Sequence, residues 1–215
     1  MQKVAIVGSG DVGKALAAGF LKYGYEVMRA SREPAKLDEW KATAGEHAYT
    51  GTPADAAAWG DIVVLAVKGT GAEAAVDGCG PAALAGKVVI DATNPIADAP
   101  PDNGVLRYFT DLDSSLMEKL QAAAPDAKFV KAFSCVGNAH MVDPDFGGAK
   151  PTMFICGNDE GAKGEVKGIL TTFGWETEDM GGAEAARAIE PLAMLWCIPG
   201  FLRNSWGHAF MLLKK

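Results

Sequence analysis

The chain has 215 residues, of which 49% are hydrophobic and 22% charged, and this composition is typical of a globular fold with one substantial core. Its 20 basic and 27 acidic residues give a net charge of −7, which argues against a nucleic-acid partner. Glycine stands out with 26 residues, many of them early in the chain.

The chain contains no long, uninterrupted apolar segment. The first apolar run, residues 4–7, is too short for the core of a signal peptide. The run from Leu192 to Leu202 is shorter than a bilayer-spanning helix, and we expect Pro191 and Pro199 to break it. The sequence therefore predicts a cytoplasmic protein with no membrane partner.

The four cysteines and three histidines are scattered along the chain. No two cysteines have the Cys-x-x-Cys spacing, and the histidines are equally isolated, so we expect no metal site. Disulfides do not normally persist in a cytoplasmic protein, so we expect reduced core or surface cysteines. Cys135 differs from the other cysteines because it lies just after a predicted strand.

Short apolar runs alternate with helical patterns along most of the chain. The runs predict strands at residues 3–7, 25–30, 47–50, 61–67, 87–92, 128–133 and 152–156. Most of these runs lack polar–apolar alternation, which is typical of parallel strands buried on both faces. The order of elements predicts an α/β fold: a doubly wound, Rossmann-type parallel sheet with a small C-terminal α/β and helical extension.

Helix signals lie between the predicted strands. Apolar residues at helical spacing from Val12 to Tyr23 predict a helix that ends at Gly24. Further helix starts and ends are indicated by Thr52-Pro53, the Ser115–Glu118 capping box, Asn158–Glu160 and Gly174.

Two regions depart from this alternation. Residues 93–113 are rich in proline and predict a long loop, which we interpret as a lid. From about residue 181 we expect the chain to be helical throughout.

A glycine-rich motif follows the first predicted strand directly and opens a helix. Its residues are Gly8, Ser9, Gly10, Asp11, Val12 and Gly13, a G-x-G-x-x-G pattern. Gly8 allows a tight turn, Gly10 lets a pyrophosphate approach the backbone, and Gly13 lets helix and strand pack closely. The amides at the helix start then face the phosphates. This context predicts a dinucleotide site, and a merely compact strand–helix turn is the alternative.

The residues after the second predicted strand indicate which dinucleotide binds. An NAD site would place an acidic residue there, but Ser31 and Arg32 follow the strand instead, with Lys36 a turn later. Arg32 can bind a phosphate through two hydrogen bonds, Ser31 can donate a third, and Lys36 adds a charge. We therefore predict NADP(H) as the cofactor, and an ordinary exposed Ser-Arg pair is the alternative. We predict a dinucleotide-binding domain over residues 1–145 and an extension over residues 146–215 that completes the sheet and the substrate cleft in one compact unit.

The nicotinamide side of such a site lies at the ends of later strands. Residues expected to contact the cofactor there are Lys68, Thr93, Asn94 and Pro95, and candidates near the reacting ring are Asn94, Ser134, Cys135 and Asn138, with no catalytic residue certain. Oxidation of an alcohol usually needs a general acid or base, and no His-Asp or Lys-Asn pair is recognisable at a strand end. Hydride transfer between two heterocycles needs mostly stacking and orientation, so the sequence favours that reaction.

Several motifs resemble those of the NADP oxidoreductases that depend on the deazaflavin coenzyme F-420. They are the glycine loop, Ser31-Arg32 with Lys36, Lys131-Ala132-Phe133 before a small polar loop, Cys156–Asp159, and the helical tail. The resemblance covers nearly the whole chain. It implies hydride exchange between NADP(H) and a deazaflavin stacked on the nicotinamide, in a cleft closed by the C-terminal segment.

The resemblance leaves the second substrate open. The cytosolic reductase domain of the membrane ferric reductases is similar and uses a flavin instead. The loop after the sixth strand usually offers His or Asn followed by Thr in this family, whereas this chain has Ser134-Cys135. A deazaflavin, a flavin and a ferric chelate are therefore all kept as small-molecule redox partners.

Two other functions compete with hydride transfer to a deazaflavin or flavin. An imine or hydroxy-acid reductase shares the glycine loop, although such chains resemble proteins with a longer helical domain. A non-catalytic NADPH-binding sensor module is consistent with the lack of a recognisable acid or base. The apolar run Leu192–Leu202 either docks a partner or a second copy, as in a homodimer, or packs on its own sheet, and the second is favoured.

Overall fold

The computed structural model describes all 215 residues, and its eight strands form one sheet in the order β3-β2-β1-β4-β5-β6-β7-β8. The strands are β1 (Lys3–Val7), β2 (Glu26–Ala30), β3 (Ala48–Gly51), β4 (Ile62–Leu65), β5 (Val88–Asp91), β6 (Lys128–Lys131), β7 (Thr152–Gly157) and β8 (Glu176–Asp179). The helices are α1 (Asp11–Lys22), α2 (Asp38–Thr43), α3 (Pro53–Trp59), α4 (Ala72–Cys79), α5 (Pro81–Leu84), α6 (Leu116–Ala123), α7 (Glu160–Thr172), α8 (Ala186–Ile189) and α9 (Pro191–Arg203). The predicted doubly wound α/β fold is confirmed.

Apolar side chains cover both faces of the sheet. Along β1, Val4 and Ile6 belong to a core cluster shared with α1 and α7, whereas Ala5 and Val7 belong to a cluster shared with α3, α4 and α6. All four are at most 2% exposed. Full burial of a side chain such as Ile6 contributes roughly 1.5–3 kcal/mol, which explains why the central strands are apolar without alternation.

The caps predicted from the sequence are confirmed. The Thr52 side chain accepts a hydrogen bond from the Asp55 amide at 3.2 Å, and the Ser115 side chain accepts one from the Glu118 amide at 3.1 Å. Both sites are complete capping boxes, so α3 and α6 begin where the sequence predicts.

The far end of the sheet differs from the expected parallel arrangement. Strands β1 to β6 are parallel, but β7 runs antiparallel to β6 over its last two residues, and β8 is parallel to β7. The seven predicted strands lie within two residues of their predicted limits, whereas β8 was missed. The residues of β8 are Glu-Thr-Glu-Asp, so the strand has no apolar pattern by which the sequence could indicate it. Such a sequence is tolerated because β8 is a partly exposed edge strand, which does not need apolar side chains.

Pro191 marks a helix boundary, as expected, because α8 ends at Ile189 and α9 begins at Pro191, whereas Pro199 does not interrupt α9. Pro191 occupies the first turn of α9, where a missing amide costs nothing, and Pro199 lies inside the helix. Pro199 has no amide to donate to the carbonyl of Leu195 one turn earlier, so α9 lacks one helical hydrogen bond at this point. The stretch Ala183–Arg203, which is 21 residues long and includes α8 and α9, meets the length and composition of a membrane-crossing helix, and 33% of its most apolar window is buried within the protein. The helical stretch is therefore longer than the apolar run Leu192–Leu202 considered in the sequence, and cytoplasmic localisation stays a prediction.

The residues after α9 are not helical, which also corrects the expectation. Asn204 ends α9 in the left-handed conformation, with φ of 52°. The chain then returns to the start of β7, where the Thr152 amide donates to the Phe210 carbonyl at 2.8 Å and the Thr152 hydroxyl accepts from the Leu212 amide at 2.9 Å. This edge of β7 is free because β6 pairs only with the other end of the strand.

Candidate functional site

The three glycines of the motif differ in what a side chain at each position would meet. Gly8 has a φ of 149°, and a Cβ there would lie 2.1 Å from the carbonyl oxygen of Ala66. A Cβ at Gly13 would lie 2.6 Å from the carbonyl oxygen of Gly8, whereas a Cβ at Gly10 would meet no atom within 4 Å. Gly8 and Gly13 are therefore required by the chain's own packing, and Gly10 leaves open space in front of the start of α1.

The start of α1 has hydrogen-bond donors without side-chain partners. Gly10 is the N-cap residue, so no side chain accepts a hydrogen bond from the first-turn amides. Such amides at the positive end of a 12-residue helix favour an anion. Because the Gly10 side is open, the phosphates of a dinucleotide fit here.

These residues border a cleft of about 770 Å³, called here the first cleft. It lies between the glycine loop, the end of β2, the start of α3 and the segment after β4. The predicted site residues that line it are Gly8, Ser9, Gly10, Ser31, Arg32, Lys36 and Lys68. The fold thus brings the glycine loop and the basic cluster to one cleft.

The two cations of this cluster differ in availability. The Arg32 side chain is exposed and makes no ion pair or hydrogen bond within the chain, whereas Lys36 pairs with Glu33 at 2.8 Å. The hydrogen bond from Lys36, and then its charge, lower the pKa of the Glu33 carboxyl. The Ser31 hydroxyl oxygen accepts a hydrogen bond from the Glu33 amide at 3.2 Å, which leaves its O–H free to donate. Arg32 and Ser31 are therefore ready for a phosphate, and Glu33 competes for Lys36.

A second cleft of about 590 Å³ adjoins the first through Val67 and Lys68. Its remaining lining residues are Val12, Gly69, Ala92, Asn94, Ile96, Ala97, Asp98, Ala99 and Pro100. The charged pair Lys68 and Asp98, 3.5 Å apart, is exposed. No histidine, tyrosine, cysteine or serine lines this cleft.

Asn94 is the predicted residue best placed in the second cleft. Its Nδ2 donates to the carbonyl oxygen of Ser134 at 2.7 Å, which fixes the orientation of the amide. Its Oδ1 is buried without a partner. A buried acceptor of this kind fits a ligand that brings an N–H group, such as the carboxamide of nicotinamide.

Several predicted residues line neither cleft: Thr93, Pro95, Ser134 and Cys135 are buried, and Asn138 is exposed. The Thr93 hydroxyl donates to Asp91 Oδ1 at 2.6 Å, so its side chain turns into the protein. Asp11 and Gly13 also line neither cleft, but they lie in the first turn of α1 beside Gly10. Position at a strand end is therefore not enough to bring a side chain to the clefts.

Cys135 is 2% exposed, and burial raises the pKa of its thiol to about 12. We expect iodoacetamide at about pH 8 to leave Cys135 unmodified in the native protein and to modify it in denaturant, because only the thiolate reacts. Mass-spectrometric peptide mapping measures both. Rapid labelling of Cys135 in the native state would contradict this placement.

The sequence analysis missed a buried charged cluster next to the Asn94 loop. Lys131 Nζ lies 2.7 Å from Asp91 Oδ2 and 2.8 Å from Glu190 Oε1, and it donates to the Thr93 carbonyl at 2.9 Å. Burial by itself would lower the pKa of Lys131, but Asp91 and then Glu190 outweigh it and raise that pKa above the ordinary value. The lysine therefore stays charged, and it anchors the segment that leads to Asn94. A strand-end lysine in an apolar context was the signal that could have indicated it.

Glycine substitutions separate packing from ligand access. We expect Gly10→Ala to cost at most about 1 kcal/mol of stability, because its Cβ meets open space, yet to weaken NADPH binding. Gly13→Ala is expected to cost roughly 1–3 kcal/mol, because its Cβ would press on the Gly8 carbonyl. Denaturant unfolding of the ligand-free proteins and NADPH titrations measure the two effects. Equal stability losses in the two variants would contradict the assignment.

Comparison with known proteins identifies the family of the chain. A family model described as "NADP oxidoreductase coenzyme F420-dependent" matches residues 3–95, which contain the glycine loop and Arg32. A solved structure from Arthrobacter sp. FB24, provisionally described as an F420-dependent NADP-reductase, is 30% identical, with a TM-score of 0.93 and coverage of 100% of both chains. The chain belongs to the coenzyme F-420-dependent NADP oxidoreductase family.

Other proteins similar to this chain are either more distant in sequence or much longer. Metalloreductase STEAP3 of Rattus norvegicus is 30% identical over 209 residues, which cover 93% of this chain and 39% of that protein. The chain therefore spans well under half the length of this curated relative. An imine reductase from Streptomyces aurantiacus is 20% identical with a TM-score of 0.66, over 94% of this chain and 63% of that chain, and shows the fold alone. The protein is an NADP-dependent oxidoreductase, as the sequence predicts.

Proposed function

We propose that this oxidoreductase binds NADPH across the two clefts, with its pyrophosphate at the glycine loop and its 2′-phosphate at Ser31 and Arg32. Three features support this arrangement: the open space at Gly10, the unpaired Arg32 guanidinium, and the unpartnered Asn94 Oδ1 beside the second cleft. When bound, NADPH supplies a hydride. The role of the protein is to hold both reactants in register and to exclude competing groups.

We infer that the hydride acceptor is a planar heterocycle, either a deazaflavin of the F-420 type or a flavin. The observation that carries this inference is the lining of the second cleft, which is mostly small and apolar. Its two titratable side chains, Lys68 and Asp98, are exposed and paired with each other rather than held over the apolar wall, so neither is positioned to pass a proton to an alkoxide or amine. A conjugated ring accepts hydride without such a group nearby, provided that it is stacked and oriented. Val12, Ala92 and Ile96 provide apolar contacts for a flat ring.

Anaerobic assays with separate acceptors test the proposal. The purified protein is mixed with NADPH and with F-420, FMN, FAD, a ferric chelate, a cyclic imine or a hydroxy acid's keto form, and NADPH absorbance is followed. We expect turnover with the deazaflavin or a flavin. Turnover with the imine or keto acid alone would favour the alternative reductase class. Tight NADPH binding without any turnover would favour a sensor module.

We also propose that the protein is cytoplasmic and that its partner is a small molecule. We propose further that it forms a homodimer through the exposed side of α9. Leu195, Phe201 and Leu202 are 45–55% exposed on that helix, whereas Ala193 and Trp196 are buried against the protein. Gel filtration across a range of concentrations tests the dimer. A monomer at every concentration would exclude it.

A further inference from the structure

Arg29 is a buried cation without a counterion. It lies near the end of β2, its side chain is 2% exposed, and no carboxylate lies within ion-pair distance. The guanidinium lies over the Trp40 ring, 5.0 Å from the ring centroid, and its Nε has no hydrogen-bond partner. Burying an unpaired charge is costly, so this arrangement needs a compensating role.

The contacts of Arg29 are with the glycine loop. One guanidinium nitrogen donates to the carbonyl oxygens of Gly8, at 3.3 Å, and Gly10, at 3.1 Å. In a planar trans peptide the C=O and N–H groups point in opposite directions. Because the Gly8 carbonyl turns inward to Arg29, the Ser9 amide turns outward to the open side of the loop. The Gly10 carbonyl also accepts from the Lys14 amide at 3.0 Å, so α1 and Arg29 together turn the Asp11 amide outward.

The charge of Arg29 lies directly behind this loop. An arginine remains protonated in proteins, although burial lowers the pKa of Arg29 and the exposed Asp11 partly opposes that effect. Inside a protein the field of such a charge is weakly screened. It adds to the positive end of α1, so both favour an anion in front of Gly10.

We propose that Arg29 is the positioning residue of the phosphate site: it orients the Ser9 and Asp11 amides and supplies an unneutralised positive charge behind them for the pyrophosphate of a dinucleotide. This inference rests on the proposed binding of NADPH. It gives the two arginines separate roles. Arg32 recognises the 2′-phosphate, whereas Arg29 acts on the pyrophosphate that NADPH and NADH share.

Binding measurements with three ligands separate these roles. Arg29→Met keeps the length of the side chain and removes its charge and donors. We expect the substitution to weaken the binding of NADPH and NADH by the same factor, roughly 10–100-fold. The affinity for 2′-AMP, which has no pyrophosphate, should be unchanged. Arg32→Ala is expected to weaken NADPH and 2′-AMP but not NADH. Arg203→Met, at an exposed position at the end of α9, is the matched control and should change none.

The outcomes distinguish this inference from the proposed function. If the wild-type protein does not bind NADPH, the proposed function fails. If the wild-type protein binds NADPH, two results would contradict the role proposed for Arg29. The first is that Arg29→Met binds both dinucleotides as tightly as the wild type, and the second is that its affinity for 2′-AMP falls by the same factor as its affinity for the dinucleotides. If Arg29→Met does not fold, Arg29→Lys decides, because it keeps the charge but cannot reproduce the planar guanidinium. We expect it to weaken both dinucleotides equally, by several-fold, without affecting 2′-AMP.

Discussion

Replacing Lys131 with methionine is expected to lower the free energy of unfolding by about 3–5 kcal/mol, the usual cost of breaking a buried ion pair. Lys131, Asp91 and Glu190 are each at most 1% exposed, so the substitution would leave two buried carboxylates without their cation. Urea unfolding followed by circular dichroism measures the change.

Lys128→Met is the control for this experiment, because it removes a lysine of the same strand whose ion pair with Asp159 is partly exposed. We expect it to cost less than about 1 kcal/mol. Adding Glu190→Gln to Lys131→Met should recover part of the loss, since it removes one of the two carboxylates. A loss below about 1 kcal/mol for Lys131→Met would contradict the role of the cluster.

The pH dependence of this effect has a definite sign. The pKa of Lys131 is raised in the folded protein, so the cation contributes its full stability below the ordinary lysine value of about 10.4. The contribution disappears only as the pH rises through the raised value. The stability difference between the wild type and Lys131→Met should therefore shrink in strong alkali, as unfolding curves at increasing pH would show.

Removing Arg32 is expected to abolish the preference for NADPH over NADH. The 2′-phosphate carries about two negative charges at pH 7, and a hydrogen bond to a charged group contributes about 1.5–3 kcal/mol. We therefore expect Arg32→Ala to weaken NADPH by roughly 10–100-fold and to leave NADH nearly unchanged. Fluorescence titration of both nucleotides measures the ratio.

Lys36→Ala provides a graded comparison for Arg32→Ala. Lys36 is already paired with Glu33 and must leave this partner to bind a phosphate. Its removal should therefore weaken NADPH less than the removal of Arg32. Equal NADPH and NADH affinities in the wild type, or an unchanged ratio in Arg32→Ala, would contradict the assignment of the 2′-phosphate site.

The features that the sequence predicts correctly depend on local patterns. The glycine motif, the capping boxes and the apolar strands each have a signature within a few residues, and the structure confirms these elements. The position of Ser31 and Arg32 beside the glycine loop could be predicted because the carboxyl ends of β1 and β2 lie at the same edge of a Rossmann sheet.

What the sequence could not predict depends on contacts between distant residues. Arg29 looks like an ordinary charged residue near a strand end, and its contact with Trp40 has no sequence signal. The apolar context of Lys131 indicates burial but does not indicate its distant partner Glu190. β8 lacks an apolar pattern because it lies at a sheet edge. Proline normally breaks helices, but α9 continues through Pro199 to Arg203.

The ion pair between Lys131 and Glu190 also affects how the chain can fold during synthesis. The glycine loop and the first six strands leave the ribosome before Glu190, so the core near Lys131 then lacks one of its carboxylates. The first amides of α6, Leu116 and Met117, lack an acceptor for the same period, because the Glu190 carboxylate accepts both hydrogen bonds. We therefore expect nascent chains that stop before residue 190 to be digested readily by proteases, and chains that include α9 to become resistant.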